Sequence, residues 1–191
     1  MSYSNINFDF NKHIVLVTGG SRGIGKGVVD AFLLSGAKVL YGSRHPMKNA
    51  ESNDAIHIPI DLTEEAEIKK LFEVVDSYGI PNILINAAAI NFTKKNEDIS
   101  IDEWNSVIQI NLTASFSLCK EALVRMKKQK RGKIVNISST YGILSPDQRL
   151  YAYFNKKLSK KEKKLGTTIE KPIGYSISKS AIINLTRYLS T

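Results

Sequence analysis

The chain has 191 residues, of which 42% are hydrophobic and 24% charged. That is enough apolar material for one substantial core, too little length for two comfortable domains, and not the composition of a disordered chain. A single cysteine, Cys119, excludes an intramolecular disulfide and a cysteine cage for zinc, and no metal site is expected. The formal charge of +9 raises nucleic acid as a partner, but eight cations against three acids between Asp147 and Lys171 supply more than half of the excess, so a solvated basic insertion is the simpler reading.

The N-terminus has neither a basic start nor an apolar core of a leader, and no later run is long and apolar enough for a membrane span, so a cytoplasmic protein with no membrane partner is expected. In chain order, His13 to Thr18 reads as a strand running into T-G-G-S-R-G-I-G and a helix from Ile24 to Ser35. Gly36 ends that helix, and strand two follows at Lys38 to Tyr41. A polar loop beginning G-S-R leads to strand three, Ala55 to Ile60, with Asp61 just past its end. Thr63 is expected to cap a helix that carries Glu64 and Glu65 in its first turn and stops near Ser77, before Gly79 and Pro81. Asn82 to Asn86 is strand four, followed by the small residues Ala87, Ala88 and Ala89.

The stretch S-I-D-E from Ser100 to Glu103 is a capping box opening a long helix that bends near Asn111 and ends around Lys130. Lys133 to Ser138 is strand five. Leu150 to Lys171 reads as an inserted loop with one short helix near Lys156 to Lys164, and Gly174 to Leu189 as a last helix with Ile177, Ala181, Ile182, Leu185 and Leu189 on its apolar face. Short apolar runs alternating with amphipathic ones predict a single α/β domain over residues 1–191, a doubly wound parallel sheet of order 3-2-1-4-5, with a basic insertion at about 147–172.

Two stretches carry chemistry. A strand, a glycine turn and a helix make a phosphate cradle, because the first-turn N–H groups of the helix lack intrahelical partners and sit at its positive end. Gly19 permits the turn, Gly23 lets backbone approach a ligand, and Gly25 lets the helix pack on the strand. Tyr175 and Lys179 stand four apart, hence on one helix face, where an ammonium beside a phenol favours the phenolate and makes Tyr175 a candidate general acid/base.

Taken together these residues resemble the short-chain dehydrogenase/reductase family across nearly the whole chain. Thr18 to Gly25 is similar to its cofactor loop, Asp61 and Leu62 to its adenine-side motif, and Asn86 to Ala89 to its N-N-A-G, with Ala87 and Ala89 departing from that pattern. Asn111 in I-N-L-T, Ser139 in N-I-S-S, and Tyr175 with Lys179 in Y-S-I-S-K are similar to its catalytic pattern. The resemblance implies a Rossmann fold and hydride exchange between a nicotinamide cofactor and a small carbonyl or alcohol, such as a 3-oxoacyl thioester or a bacterial surface-sugar precursor. It further implies that Ser139 holds the substrate oxygen, Tyr175 transfers its proton, Lys179 also holds the nicotinamide ribose, and Asn111 anchors a water of the proton relay. Ser138 is passed over, the second serine of the pair being the family's catalytic one.

On the cofactor side the resemblance points to Thr18, Gly19, Ser21, Arg22, Gly23, Ile24, Gly25, Ser43, Arg44, Asp61, Leu62, Asn86, Ala87, Ala88, Tyr175 and Lys179. No acid follows strand two to grip a ribose 2′-OH, and Ser43, Arg44 and Arg22 suit a phosphate instead, so NADP(H) is expected ahead of NAD(H). The family continues past the last helix with further strands, so the chain is expected to be C-terminally truncated and, taken alone, a poor catalyst; a complete form would be a homo-oligomer, dimer or tetramer. Two other readings compete: a catalytically silent nucleotide- or partner-binding protein, and a nucleic-acid binder, which the scarcity of aromatics among the lysines disfavours.

Overall fold

A computed structural model describes residues 8–48, 53–158, 160 and 170–191. By their contacts they fall into two units, one comprising the chain up to Ala88 with Ala114–Ile137, the other Ala89–Thr113 with Ser138–Thr191.

The first unit is a parallel sheet of β1 (Ile14–Thr18), β2 (Lys38–Ser43), β3 (Ala55–Pro59), β4 (Ile83–Asn86) and β5 (Lys133–Asn136). Their order is β3-β2-β1-β4-β5, as the alternation of runs predicts. The central strands are apolar at successive positions because both faces are covered. Leu16, Leu40 and Leu84 point into a core with Ile68, Leu71 and Phe72 of α2 (Glu65–Asp76) and Leu118 and Ala122 of α4 (Ala114–Lys128). Val15, Val17, Val39 and Tyr41 point the other way, against Val29 and Phe32 of α1 (Gly23–Leu34). Helices on both faces make the sheet doubly wound. At its β5 edge Val135 remains 44% exposed.

Gly36 ends α1 as expected: at φ +85° it lets its own N–H reach the Leu33 carbonyl and that of Ala37 reach the Phe32 carbonyl. Thr63, in contrast, is not the cap of α2. Glu64 occupies that position without a side-chain bond, while the Thr63 N–H and hydroxyl both donate to Asp61 Oδ1, at 3.0 and 2.9 Å. Asp61, two residues upstream, accepts both Thr63 protons in a local turn that places Thr63 one residue before the cap.

In the second unit, α3 (Ile101–Ile108) opens with the expected capping box, the Glu103 N–H donating to Ser100 Oγ and the Ser100 N–H to the Glu103 carboxylate. The predicted bend at Asn111 is a π-helical turn, Gln109–Thr113. The insertion is not a loop at its start. Asp147 accepts the Arg149 N–H and caps α5, Gln148–Lys157, ahead of the helix expected at Lys156 to Lys164; residues 159 and 161–164 of that expectation lie outside the described residues. No residue of α5 is buried, and Leu150, Tyr153 and Phe154 are exposed, which is why no apolar period announces it.

The last helix, α6 (Ile173–Leu189), turns inward a stripe that overlaps the expected one only in part: Ile182 is buried as expected and Ala181, Leu185 and Leu189 partly so, but Gly174, Ser178 and Lys179 are buried while Ile177 is 41% exposed. Closeness decides this, since a Cβ on Gly174 would stand 3.2 Å from the Trp104 ring, and only the small-residue stripe can come so near. No helix among the described residues is long and apolar enough to cross a membrane.

Candidate functional site

The glycine turn is built by backbone meeting backbone. A Cβ on Gly19 would lie 2.7 Å from the Ala88 Cα, and one on Gly25 would lie 2.2 Å from the Gly19 carbonyl oxygen, so neither position tolerates a side chain. Gly23 differs: its φ is +56°, and nothing stands within 4 Å of where its Cβ would be. The turn therefore packs tightly beneath and opens outward at Gly23. Arg22 at the N-cap of α1 makes no side-chain cap and the first turn carries no acid, so among the described residues no acid of that turn takes up its N–H groups. Ser21 is half-buried, Arg22 is exposed, and Ile24 is 68% exposed.

Beside the turn, Thr18 and Asn86 are Cα partners across β1 and β4, 1% and 4% exposed. Thr18 Oγ1 and Asn86 Oδ1 are both buried without a hydrogen-bond partner. Asn86 spends its amide protons on Asn136 Oδ1 at 2.8 Å and Cys119 Sγ at 3.4 Å. Ala87 and Ala88 continue from β4 directly against Gly19. Backbone donors at a helix start and an outward opening at Gly23 fit the diphosphate of a dinucleotide, whereas Asn86 Oδ1, an acceptor, can meet only a donor.

At the far side of the same sheet, Ser43 ends β2. Its hydroxyl donates to the His45 carbonyl at 2.7 Å, so that proton is already engaged. Its carbonyl accepts from His57 Nε2 at 3.0 Å and from the Ile60 N–H at 3.3 Å. Arg44 is exposed. The N–H of Thr63, then its hydroxyl, hold the Asp61 carboxyl below the usual carboxylate range, with Arg44 adding a smaller pull. Leu62 is only 9% exposed and packs in the core, which leaves its backbone alone for any ligand.

The second unit gathers the other residues singled out in the sequence. Tyr175 lies in the first turn of α6, and Lys179 Nζ stands 5.8 Å from the centroid of its ring. Lys179 is 3% exposed, and burial pulls its ammonium below the usual lysine range. Ser139 caps the short 3-10 turn Thr140–Gly142 by accepting the Tyr141 N–H at 3.2 Å, which leaves its own proton to donate elsewhere. Ser138 is used structurally, donating to the Lys179 carbonyl at 2.7 Å. A Cβ on Gly142 would meet that same carbonyl oxygen at 2.7 Å, so the serine turn is pressed directly onto α6.

Asn111 is 1% exposed in the π turn. Its Oδ1 accepts the Ile90 N–H at 2.8 Å, and its amide donates to the Ile90 carbonyl at 3.0 Å and to Ser178 Oγ at 3.1 Å. Ser178 passes the contact on, donating to the Tyr175 carbonyl at 2.7 Å. The Asn111 side chain thus locks the π turn to the start of α6, and both its amide protons are committed. Sequence reasoning missed Ser178, Gly142 and His57. The first was visible as the fourth letter of Y-S-I-S-K, one turn after Tyr175; the other two carry no local signal, because their partners lie more than ten residues away. Asn91 Oδ1 and Ser176 Oγ are further buried polar atoms without a partner in this unit.

The family described as short chain dehydrogenase matches residues 13–157. The chain is 30% identical to a D-beta-hydroxybutyrate dehydrogenase of Rhizobium meliloti over 148 residues, covering 71% of this chain and 57% of that one. It thus spans less than two thirds of the length of that curated relative. A crystal structure of a short chain dehydrogenase from Leptospira borgpetersenii with bound NAD+ superposes with a TM-score of 0.82 at 31% identity, covering 99% of this chain and 68% of the other. A 4-hydroxyisoleucine dehydrogenase complexed with NADH follows at a TM-score of 0.74 and 28% identity, covering 93% and 68%. A family match across most of the chain, on a sheet of the predicted order with the glycine turn in place, means that this chain belongs to the short-chain dehydrogenase family.

Proposed function

We propose that the protein interconverts a carbonyl and an alcohol on a small molecule, with Tyr175 as the general acid/base. The observation that carries this reading is the pairing of Tyr175 with a lysine that is 3% exposed yet keeps its Nζ within 5.8 Å of the phenol ring. The pairing sets a buried lysine on the same face of α6 as a half-buried phenol, one helical turn along. In the reductive direction Tyr175 gives its proton to the substrate oxygen; in the oxidative direction it takes that proton back. Ser139 donates its free proton to the same oxygen and orients it. Asn111, through Ser178, fixes the turn of α6 on which Tyr175 stands. When bound, the nicotinamide cofactor supplies or accepts the hydride.

NADP(H) is proposed ahead of NAD(H), because β2 ends in Gly42 and Ser43 and is followed by Arg44, with no acid there to meet a ribose 2′-OH. Arg44 and Arg22 are both exposed and suit a phosphate, while the solved relatives above hold NAD+ and NADH, which makes the choice worth measuring first. For the substrate, the hydroxy acids in the relatives' names join the 3-oxoacyl thioesters and sugar precursors suggested by the sequence as compounds to screen.

Turnover of Tyr175→Phe, measured beside cofactor binding, tests the assignment. Removing the general acid/base should cost about 100- to 10,000-fold in rate with the cofactor affinity nearly unchanged. Lys179→Ala should damage both. Activity of Tyr175→Phe within a few-fold of the parent would show that another group moves the proton.

A further inference from the structure

His57 lies on the edge strand β3, directly across from Tyr41 of β2, with the two rings 5.0 Å apart. Its Nε2 approaches both the carbonyl and the hydroxyl oxygen of Ser43, at 3.0 and 3.1 Å. A carbonyl can only accept, and the Ser43 hydroxyl proton is already given to the His45 carbonyl, so Nε2 must carry a proton and share it between the two Ser43 oxygens. The Met47 N–H, at the other end of the turn, donates to the Tyr41 hydroxyl at 3.3 Å. The tilted ring pair of Tyr41 and His57 therefore fastens the turn from Ser43 to Met47 at both ends. Arg44 is the one residue between the two backbone groups that His57 and Ser43 hold.

We propose that His57 is a positioning residue for cofactor choice: by fixing Ser43 from the neighbouring strand, it presents Arg44 at the end of β2 to the 2′-phosphate of NADP(H). The proposal rests on the NADP(H) reading above. It assigns the Ser43 hydroxyl to shaping the turn, not to gripping phosphate. It also gives the turn a reason to be fastened, since the exposed Asp61 carboxylate attracts Arg44 and would draw an unfastened arginine away from an incoming phosphate.

The test is fluorescence titration of the full natural chain with NADPH and with NADH. The parent is compared with His57→Phe, which keeps a ring against Tyr41 and lacks the donor, and with His57→Gln, which restores one; His57→Phe is also made in an Arg44→Ala background. Loss of one positioning hydrogen bond should weaken NADPH by about five- to tenfold in His57→Phe while NADH changes by less than about twofold. His57→Gln should recover most of the difference, and the His57→Phe effect should vanish once Arg44 is alanine.

A parent that binds NADH as tightly as NADPH refutes the cofactor reading and this proposal with it. A parent that prefers NADPH, whose preference survives His57→Phe or is lost only because both cofactors weaken together, refutes the proposal and leaves the reading standing. An undiminished His57→Phe effect in the Arg44→Ala background also refutes it, because the histidine would then not act through the arginine. Should His57→Phe fail to fold, Tyr41→Phe loosens the same turn from the Met47 end, and an unchanged NADPH to NADH ratio there overturns the proposal equally.

Discussion

Gly25→Ala and Gly27→Ala, two residues apart on α1, should move stability in opposite directions. At Gly27 an added methyl meets nothing within 4 Å, and the residue is an exposed helical position, so alanine should stabilise by about 0.5–1 kcal/mol through helix propensity. At Gly25 the methyl carbon would stand 2.2 Å from the Gly19 carbonyl oxygen and 2.8 Å from its carbon. That carbonyl cannot retreat easily. The Gly19 N–H is tied to the Gly42 carbonyl at 2.8 Å, and the Gly19 Cα is hemmed in by Ala88 on the other side. The helix must lift from the sheet instead, loosening the fully buried Val29 in its core contact, and such forced overpacking costs about 1–3 kcal/mol. The two variants should therefore differ by roughly 2–4 kcal/mol, which for a chain of this size is about 4–16 °C in Tm. Calorimetry or urea unfolding of the cofactor-free proteins reads this directly, and cofactor titration of Gly25→Ala should show a parallel loss of affinity as the phosphate turn opens. A Gly25→Ala protein as stable as Gly27→Ala would mean that the close approach of α1 to the turn does not hold the fold, and the account of the glycine turn would be wrong.

Other outcomes follow from the same geometry. Asn111→Ala removes the side-chain partner of the part-buried Ile90 N–H and carbonyl and should lower unfolding free energy by about 1–3 kcal/mol; a change within about 0.5 kcal/mol in urea unfolding would remove Asn111 from its structural role. Burial pushes the Cys119 thiol up to about 11 from 9.0, with Asn136 and Asn86 pulling weakly the other way, so at pH 8 it should react with a disulfide reagent only as fast as the native state opens. Rapid labelling in the absence of denaturant contradicts that assignment. The sign for stability follows: between pH 9 and about 11 the folded thiol holds a proton that the unfolded chain has released, so this group's contribution is intact below pH 9 and falls as pH rises through that interval. Cys119→Ala should flatten the decline in a pH series of unfolding midpoints; an identical slope would show that other groups cause it.

What the sequence determined by itself is the part of the molecule whose physics is local. The strands announce themselves as short apolar runs because both faces of a parallel sheet are covered, and Gly36 and the Ser100–Glu103 box act on backbone within a few residues of themselves. The glycine turn is legible for the same reason, as is the stacking of Tyr175 and Lys179 one helical turn apart. The places where the sequence misleads are those where a partner arrives from far along the chain or where an alternative acceptor competes. Thr63 looks like a cap, but its turn with Asp61 places it one residue before the helix start; α5 has no buried face and so no apolar period; and the inward stripe of α6 is chosen by how closely Trp104 can approach Gly174, which makes Ser178 and Lys179 the buried positions instead of Ile177. Only the tertiary structure shows Asn111 gripping Ile90 and Ser178, Ser138 held on the Lys179 carbonyl, or His57 reaching across strands to Ser43. Hydrogen bonds between residues tens of positions apart leave no periodicity in a single sequence, because they depend on which strands lie side by side and in what register, and that is settled when the sheet closes over its two cores.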